Sequence, residues 1–129
     1  MLDTNILSDL IRNPHGRAAD RLQEHGEAGL CVSIITAAEL RYGAARRGSA
    51  RLLGRVEAVL STIDVLPFDV PADAEYGNIR AELEAVGLPI GPTDLFIAAH
   101  ARAVGVVLVT HNVAEFRRVR GLTLDNWLA

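Results

Sequence analysis

Residues 93–112 read TDLFIAAHARAVGVVLVTHN, and the order of patterns in that stretch decides the fold. From Thr93 to Val104 the chain is apolar almost all round, as a helix buried against a sheet must be. Val106, Val107, Leu108 and Val109 then follow without polar alternation, which predicts a strand over 106–110 covered on both faces, as in a central parallel sheet. A buried helix running directly into a buried strand is the repeating unit of an α/β domain. Working outward, short apolar runs predict strands at residues 1–3, 30–34 and 63–66, with a weak edge at 122–124. Longer amphipathic runs separate them. Residues 4–12 and 36–46 are two such runs. Ser49 precedes Leu52, Leu53, Val56, Val59 and Leu60 in another. Tyr76, Ile79, Leu83 and Val86 recur at helical spacing, with Pro71 near the start and Gly87 as the stop.

The 129 residues correspond to one domain, since domains commonly span about 100–200 residues. An apolar share of 50% against 22% charged residues excludes an intrinsically disordered chain. Cys31 is the single cysteine, so no internal disulfide forms, and a reducing compartment fits. No apolar stretch approaches the roughly 18–20 residues of a membrane span, which predicts a cytoplasmic protein with no membrane partner. The formal net charge is −3, yet every one of the 13 basic residues is Arg. GC-rich codon usage explains that bias, and so does selection of guanidinium for bidentate phosphate contacts. A net negative charge also disfavours loose binding to any nucleic acid, so a nucleic-acid substrate would have to be a selected one, such as a structured RNA with an exposed single-stranded loop.

In an open parallel sheet, ligands bind beyond the carboxyl ends of the strands. Asp3 closes the first predicted strand, Glu39 lies one turn into the helix after the second, Asp94 opens the buried helix, and Asn112 follows the last central strand. Each has an ordinary structural explanation. Asp3 can cap a helix, Thr36 and Glu39 form a capping-box pattern, Asp94 can complement a helix dipole, and Asn112 suits a turn. Their shared position at one end of one sheet argues for a common site. Carboxylates brought together raise one another's pKa unless a cation lies among them, and all-oxygen ligands select Mg²⁺ or Mn²⁺ over Zn²⁺. Cations so held lower the pKa of bound water and clamp the oxygens of an in-line displacement at phosphorus. Metal-dependent phosphodiester hydrolysis is the chemistry this set supports best.

Four segments, in order, resemble a PIN domain of the VapC type: residues 2–8 (LDTNILS), 33–43 (SIITAAELRYG), 90–101 (IGPTDLFIAAHA), and 109–112 (VTHN) with Phe116. The match spans nearly the whole chain. It implies an α/β/α sandwich with a mainly parallel central sheet, formed by a single PIN domain over residues 1–129. It also implies an Mg²⁺- or Mn²⁺-dependent endoribonuclease toxin, a homodimer, and a cognate VapB-type antitoxin that pushes a basic side chain into the acidic site. Asp3, Glu39 and Asp94 match the family's principal acids and are the expected metal ligands. Asn112 stands where many members carry a fourth acid, and is expected to be an outer ligand or to orient water. Thr4 and Asn5 are expected to fix the strand-to-helix turn, and Thr110 to lie at the site edge.

His100 and His111 have no second His or Cys at ligand spacing, which argues against zinc. Two arginine groups are candidates for attracting RNA: Arg41, Arg46, Arg47 and Arg51, and Arg117, Arg118 and Arg120. Among the aromatics, Tyr42 is the one placed to stack on a base. The antitoxin contact is expected on the helices at 36–46 and 49–61. A catalytically inactive PIN-like binding module is the alternative, in which the acids serve structure alone. A receiver-type phosphotransfer domain would need a Lys after a late strand, and the chain has none. Members of the family usually carry several apolar residues before the first acid, whereas Met1 and Leu2 alone precede Asp3 here. The expectation is a start upstream of Met1. Intact mass of the protein from its native source tests it, and a mass that begins at Met1 refutes it.

Overall fold

The computed structural model describes residues 1–26 and 28–129. Along the chain run α1 (Thr4–Arg12), α2 (Arg17–His25), β1 (Cys31–Ser33), α3 (Ile34–Arg47), α4 (Ala50–Leu60), β2 (Asp64–Leu66), α5 (Ala72–Ala85), α6 (Pro92–Val104), β3 (Leu108–Val109), α7 (Val113–Phe116) and β4 (Leu124–Asp125). β1 and β2 pair in parallel, Cys31 opposite Asp64 and Ser33 opposite Leu66. β3 and β4 pair in parallel as well, Val109 opposite Asp125. Residues 1–3 lie between the two pairs. Leu2 N–H donates to the Cys31 carbonyl at 2.9 Å, Asp3 N–H to that of Val109 at 2.9 Å, and Val109 N–H to that of Met1 at 2.8 Å. The expected central sheet is thus realised as two short parallel pairs joined through the first residues, with one parallel bridge, Leu2 to Val109.

Neighbouring strand residues point to opposite faces of a sheet, and the burial follows that rule. Leu2, Val32 and Val109 pack with Ile6 and Leu7 of α1, Leu40 of α3 and Val56 and Leu60 of α4. Met1, Cys31 and Leu108 pack on the other side with Ile79 and Leu83 of α5, Ile97 of α6 and Phe116 of α7. Helices therefore cover both faces, which is the α/β/α sandwich.

Several local expectations are corrected. The last central strand is shorter than 106–110, because Gly105 turns left-handed at φ 76° to end α6. Val106 N–H then caps the Ala101 carbonyl at 3.2 Å instead of joining a ladder, and Val107 is left 42% exposed. The strand expected at 30–34 ends at Ser33, where α3 begins with no loop between. Ser33 is the N-cap, its Oγ accepting from Ile35 N–H, so the capping box at Thr36 and Glu39 does not form. Thr36 is buried with its hydroxyl unpartnered among the described residues. The stripe of α5 ends before Val86, which is exposed at the C-cap, and Leu53 of α4 is exposed too. Helices α2 and α7 had no counterpart in the periodicity. The first buries Ala18 alone, and the second is one turn long.

Because Leu2 is fully buried where both pairs meet, Leu2→Ala is expected to cost about 2–5 kcal/mol. A lower urea midpoint at unchanged m-value checks it; an unchanged midpoint would place the junction elsewhere.

Candidate active site

The turn from residues 1–3 into α1 supplies the first acid. Asp3 is 2% exposed, and burial pushes its carboxyl up against three hydrogen bonds that pull it down. Its Oδ1 accepts from Thr4 N–H at 2.8 Å, capping α1. Its Oδ2 accepts from Asn5 Nδ2 at 3.0 Å and from the Thr110 hydroxyl at 2.8 Å. Thr110 thus stands behind Asp3, fully buried, rather than at the site edge. Asn5 Oδ1 accepts from His111 N–H at 2.9 Å, and Thr110 Oγ1 from Asn112 N–H at 3.0 Å, so the residues after β3 are tied to the start of α1.

Glu39 is half-buried on α3, and its Oε1 accepts from the Thr4 hydroxyl at 2.6 Å. Asp3, Glu39 and Asp94 line one cavity of about 490 Å³. Asp94, in the first turn of α6, is pushed up to about 7. Burial is the main cause, followed by a hydrogen bond with Glu115 and by the charges of Glu115, Asp3 and Glu39. Asn112 lies beside it, with Nδ2 3.5 Å from Asp94 Oδ2 and bonded to Glu115 Oε2. As placed, Asn112 presents its amide nitrogen to the acids.

Glu115 is the residue that the sequence reading missed. Its Oε1 accepts from Gly91 N–H at 2.9 Å. That bond, with those from Asp94 and Asn112 and the nearby Arg118 charge, holds its carboxyl below the usual range although burial opposes them. The signal was available: Glu115 stands three residues after Asn112, the spacing that puts two side chains on one side of a helical turn. Of these two neighbours, Asp94 is the harder to ionise.

Among the described residues, none of these four acids makes an ion pair, and no three His, Cys, Asp or Glu side chains stand as a preformed ligand set. The set nonetheless fits a hard divalent cation in donor type and charge. Mg²⁺ commonly takes one or two carboxylates and keeps waters or substrate phosphates as its other ligands, so a closed protein cage is not needed. His100 is buried away from the acids. Its Nδ1 is 2.7 Å from Ser33 Oγ, its ring is edge-on to Phe68, and burial pushes its pKa down. The His111 side chain is exposed. Tyr42 is 65% exposed and is not part of the cavity wall.

The PIN domain family model matches residues 1–122. The tRNA(fMet)-specific endonuclease VapC of Shigella flexneri is 42% identical over 128 residues, covering 98% of this chain and 96% of the relative. Among solved structures, a DNA-bound VapBC from Salmonella typhimurium superposes with a TM-score of 0.91 at 40% identity, over 98% of this chain and 96% of that one. VapBC2 from Rickettsia felis, bound to a promoter DNA fragment, gives 0.90 at 35%, over 98% and 97%.

The raised Asp94 carboxyl has a consequence for stability. Below the unfolded value of 3.8 both states carry the proton and the site costs nothing. As pH rises toward about 7 the unfolded chain loses its proton first, so stability falls across that window. Asp94→Asn, which keeps a donor toward Glu115, is expected to raise the Tm of the metal-free protein at pH near 8 and to leave it unchanged at pH near 4. Melting curves in EDTA check this, and a pH-independent difference would refute it.

Proposed function

This chain belongs to the PIN domain family, in its VapC branch, and on that premise we propose that it is a divalent-cation-dependent endoribonuclease toxin, restrained by a cognate VapB-type antitoxin. One observation carries the reading: Asp3, Glu39 and Asp94, from the first residues, α3 and α6, line one cavity, and among the described residues none of the three makes an ion pair. Asp3, Glu39 and Asp94 would hold Mg²⁺ or Mn²⁺. When bound, the cation supplies charge stabilisation and activation of water for in-line displacement at phosphorus.

The chain's own residues do the positioning. Thr4 N–H, Asn5 and Thr110 hold Asp3 in one orientation, so its carboxylate is placed before substrate arrives. Thr4 orients Glu39 from the opposite side. Asn112 and Glu115 steer Asp94. No protein nucleophile is required.

The substrate is a structured RNA cut at an exposed single-stranded segment. Initiator tRNA is the first to test, because the Shigella flexneri relative is named for it. The antitoxin covers the same cavity, whose far wall is made by Leu40 and Ala44 of α3 and Leu52 and Val56 of α4. The working form is a homodimer in the cytoplasm; among the described residues no helix is long and apolar enough to cross a membrane.

Incubation of the protein with total cellular RNA, with and without Mg²⁺, followed by mapping of new 5′ ends, tests this. Cleavage is expected only with the cation, and Asp94→Asn should lower it by more than about 10-fold, since mutating even residues that only orient a metal's ligands typically costs about 10–100-fold. Identical RNA ends in every sample would refute the nuclease and favour the inactive binding module.

A further inference from the structure

The structure sorts the arginines. Arg41 is committed to Glu57, its Nε and Nη2 bonding that carboxylate at 2.7 and 3.1 Å. Arg118 donates to the Pro89 carbonyl at 3.0 Å, and Arg117 borders a separate cavity beside β4. Arg47 and Arg51 instead converge with Arg12 of α1 and Arg55 of α4 around a cavity of about 590 Å³. This cavity is continuous with the acidic one, since Ile11, Arg12, Arg47 and Leu52 border both. All four arginines are exposed, and none makes an ion pair or side-chain hydrogen bond among the described residues. Arg51 and Arg55 are four residues apart on one helix, a like-charge spacing that disfavours the helix. In a chain of net charge −3, four guanidinium groups on one rim call for a polyanion.

We infer that this rim is a phosphate-binding subsite, on which the RNA strand lays the phosphates flanking the one to be cleaved. The inference rests on the ribonuclease reading of the acidic cavity. Guanidinium matches phosphate oxygens bidentately, and the rim attracts the strand without neutralising the acids. The apolar wall between the two ends, Leu52 and Val56 among its residues, offers a surface to a base. A nucleic-acid strand fits both ends, with phosphates on arginine at one and on acids plus a divalent cation at the other. An acidic peptide fits the arginine end alone.

Arg51 and Arg55 border the outer cavity only, so the full-length R51Q/R55Q variant reads the subsite without touching the acids. Binding of a fluorescein-labelled single-stranded RNA is measured by anisotropy in EDTA between about 50 and 200 mM salt. The variant is expected to bind about tenfold more weakly at the low-salt end. Its slope of log K against log salt should fall by about 1.4, since each lost phosphate contact on a single strand removes about 0.7. In Mg²⁺ the KM for RNA should rise with kcat unchanged. Arg80→Gln, which removes a charge paired with Glu84 on α5, should alter none of these.

Equal affinity and slope for variant and wild type overturn the subsite, as does wild-type protein that binds no RNA. Loss of antitoxin binding with RNA binding intact also overturns it and gives the rim to the protein partner. A wild type that binds with the steeper slope yet cleaves nothing sinks the ribonuclease reading and leaves the subsite standing.

Discussion

Everything near the site depends on keeping one buried carboxylate satisfied. Asp3 is almost wholly withdrawn from water, where an uncompensated charge is costly. Three donors meet it: its own helix N-terminus, Asn5, and Thr110 from the end of β3. Those donors are themselves held, Asn5 by His111 N–H and Thr110 by Asn112 N–H. Satisfying the carboxylate therefore fixes how the first residues, α1 and the loop after β3 meet. The helix-cap role of Asp3 and its role in the site are one arrangement, because the groups that stabilise the charge also aim it.

A second, drier contact sets the other two acids. The Ser33 hydroxyl accepts from Ile35 N–H to cap α3, so its single proton is free to go to His100 Nδ1, 2.7 Å away. The ring also lies edge-on to Phe68, just beyond β2. Burial favours this neutral ring. One imidazole thereby joins the start of α3, which carries Glu39, to the middle of α6, which carries Asp94, and to the segment after β2.

The layers were legible in the sequence because burial imposes period: the apolar helix 92–104 and the strand after it carry their patterns whatever lies around them. Asp3, Glu39 and Asp94 were legible for a related reason, since strand ends are where an α/β sheet exposes its loops. What escaped was decided by tertiary geometry. Thr36 and Glu39 have capping-box spacing, but Ser33 takes the cap when β1 runs straight into α3, which frees Glu39 for the cavity. Glu115 stands in a four-residue helix too short to show periodicity. Of the seven arginines that looked suitable, position in the chain separated none, because Arg41 finds Glu57 sixteen residues away while Arg12 and Arg55 arrive from helices on either side of the groove.

A net charge of −3 averages over a strongly polar groove. Asp3, Glu39 and Asp94 lie at one end and Arg12, Arg47, Arg51 and Arg55 at the other, so the two ends present opposite fields to anything that enters. Exposed charges beyond a Debye length of about 10 Å are screened, which confines this polarity to short range. A distant nucleic acid feels the net charge, while a strand already in the groove feels the rim. The acidic end would favour a phosphate only with a divalent cation between, and the raised Asp94 carboxyl marks how incompletely the protein neutralises that end alone. Rim and cation therefore act on different steps. The arginines govern whether a strand lies in the groove, and a cation held by the acids would supply the charge that lets its phosphodiester approach them. Selectivity arises from the need to meet both at once, which a polyanion of the wrong shape does not.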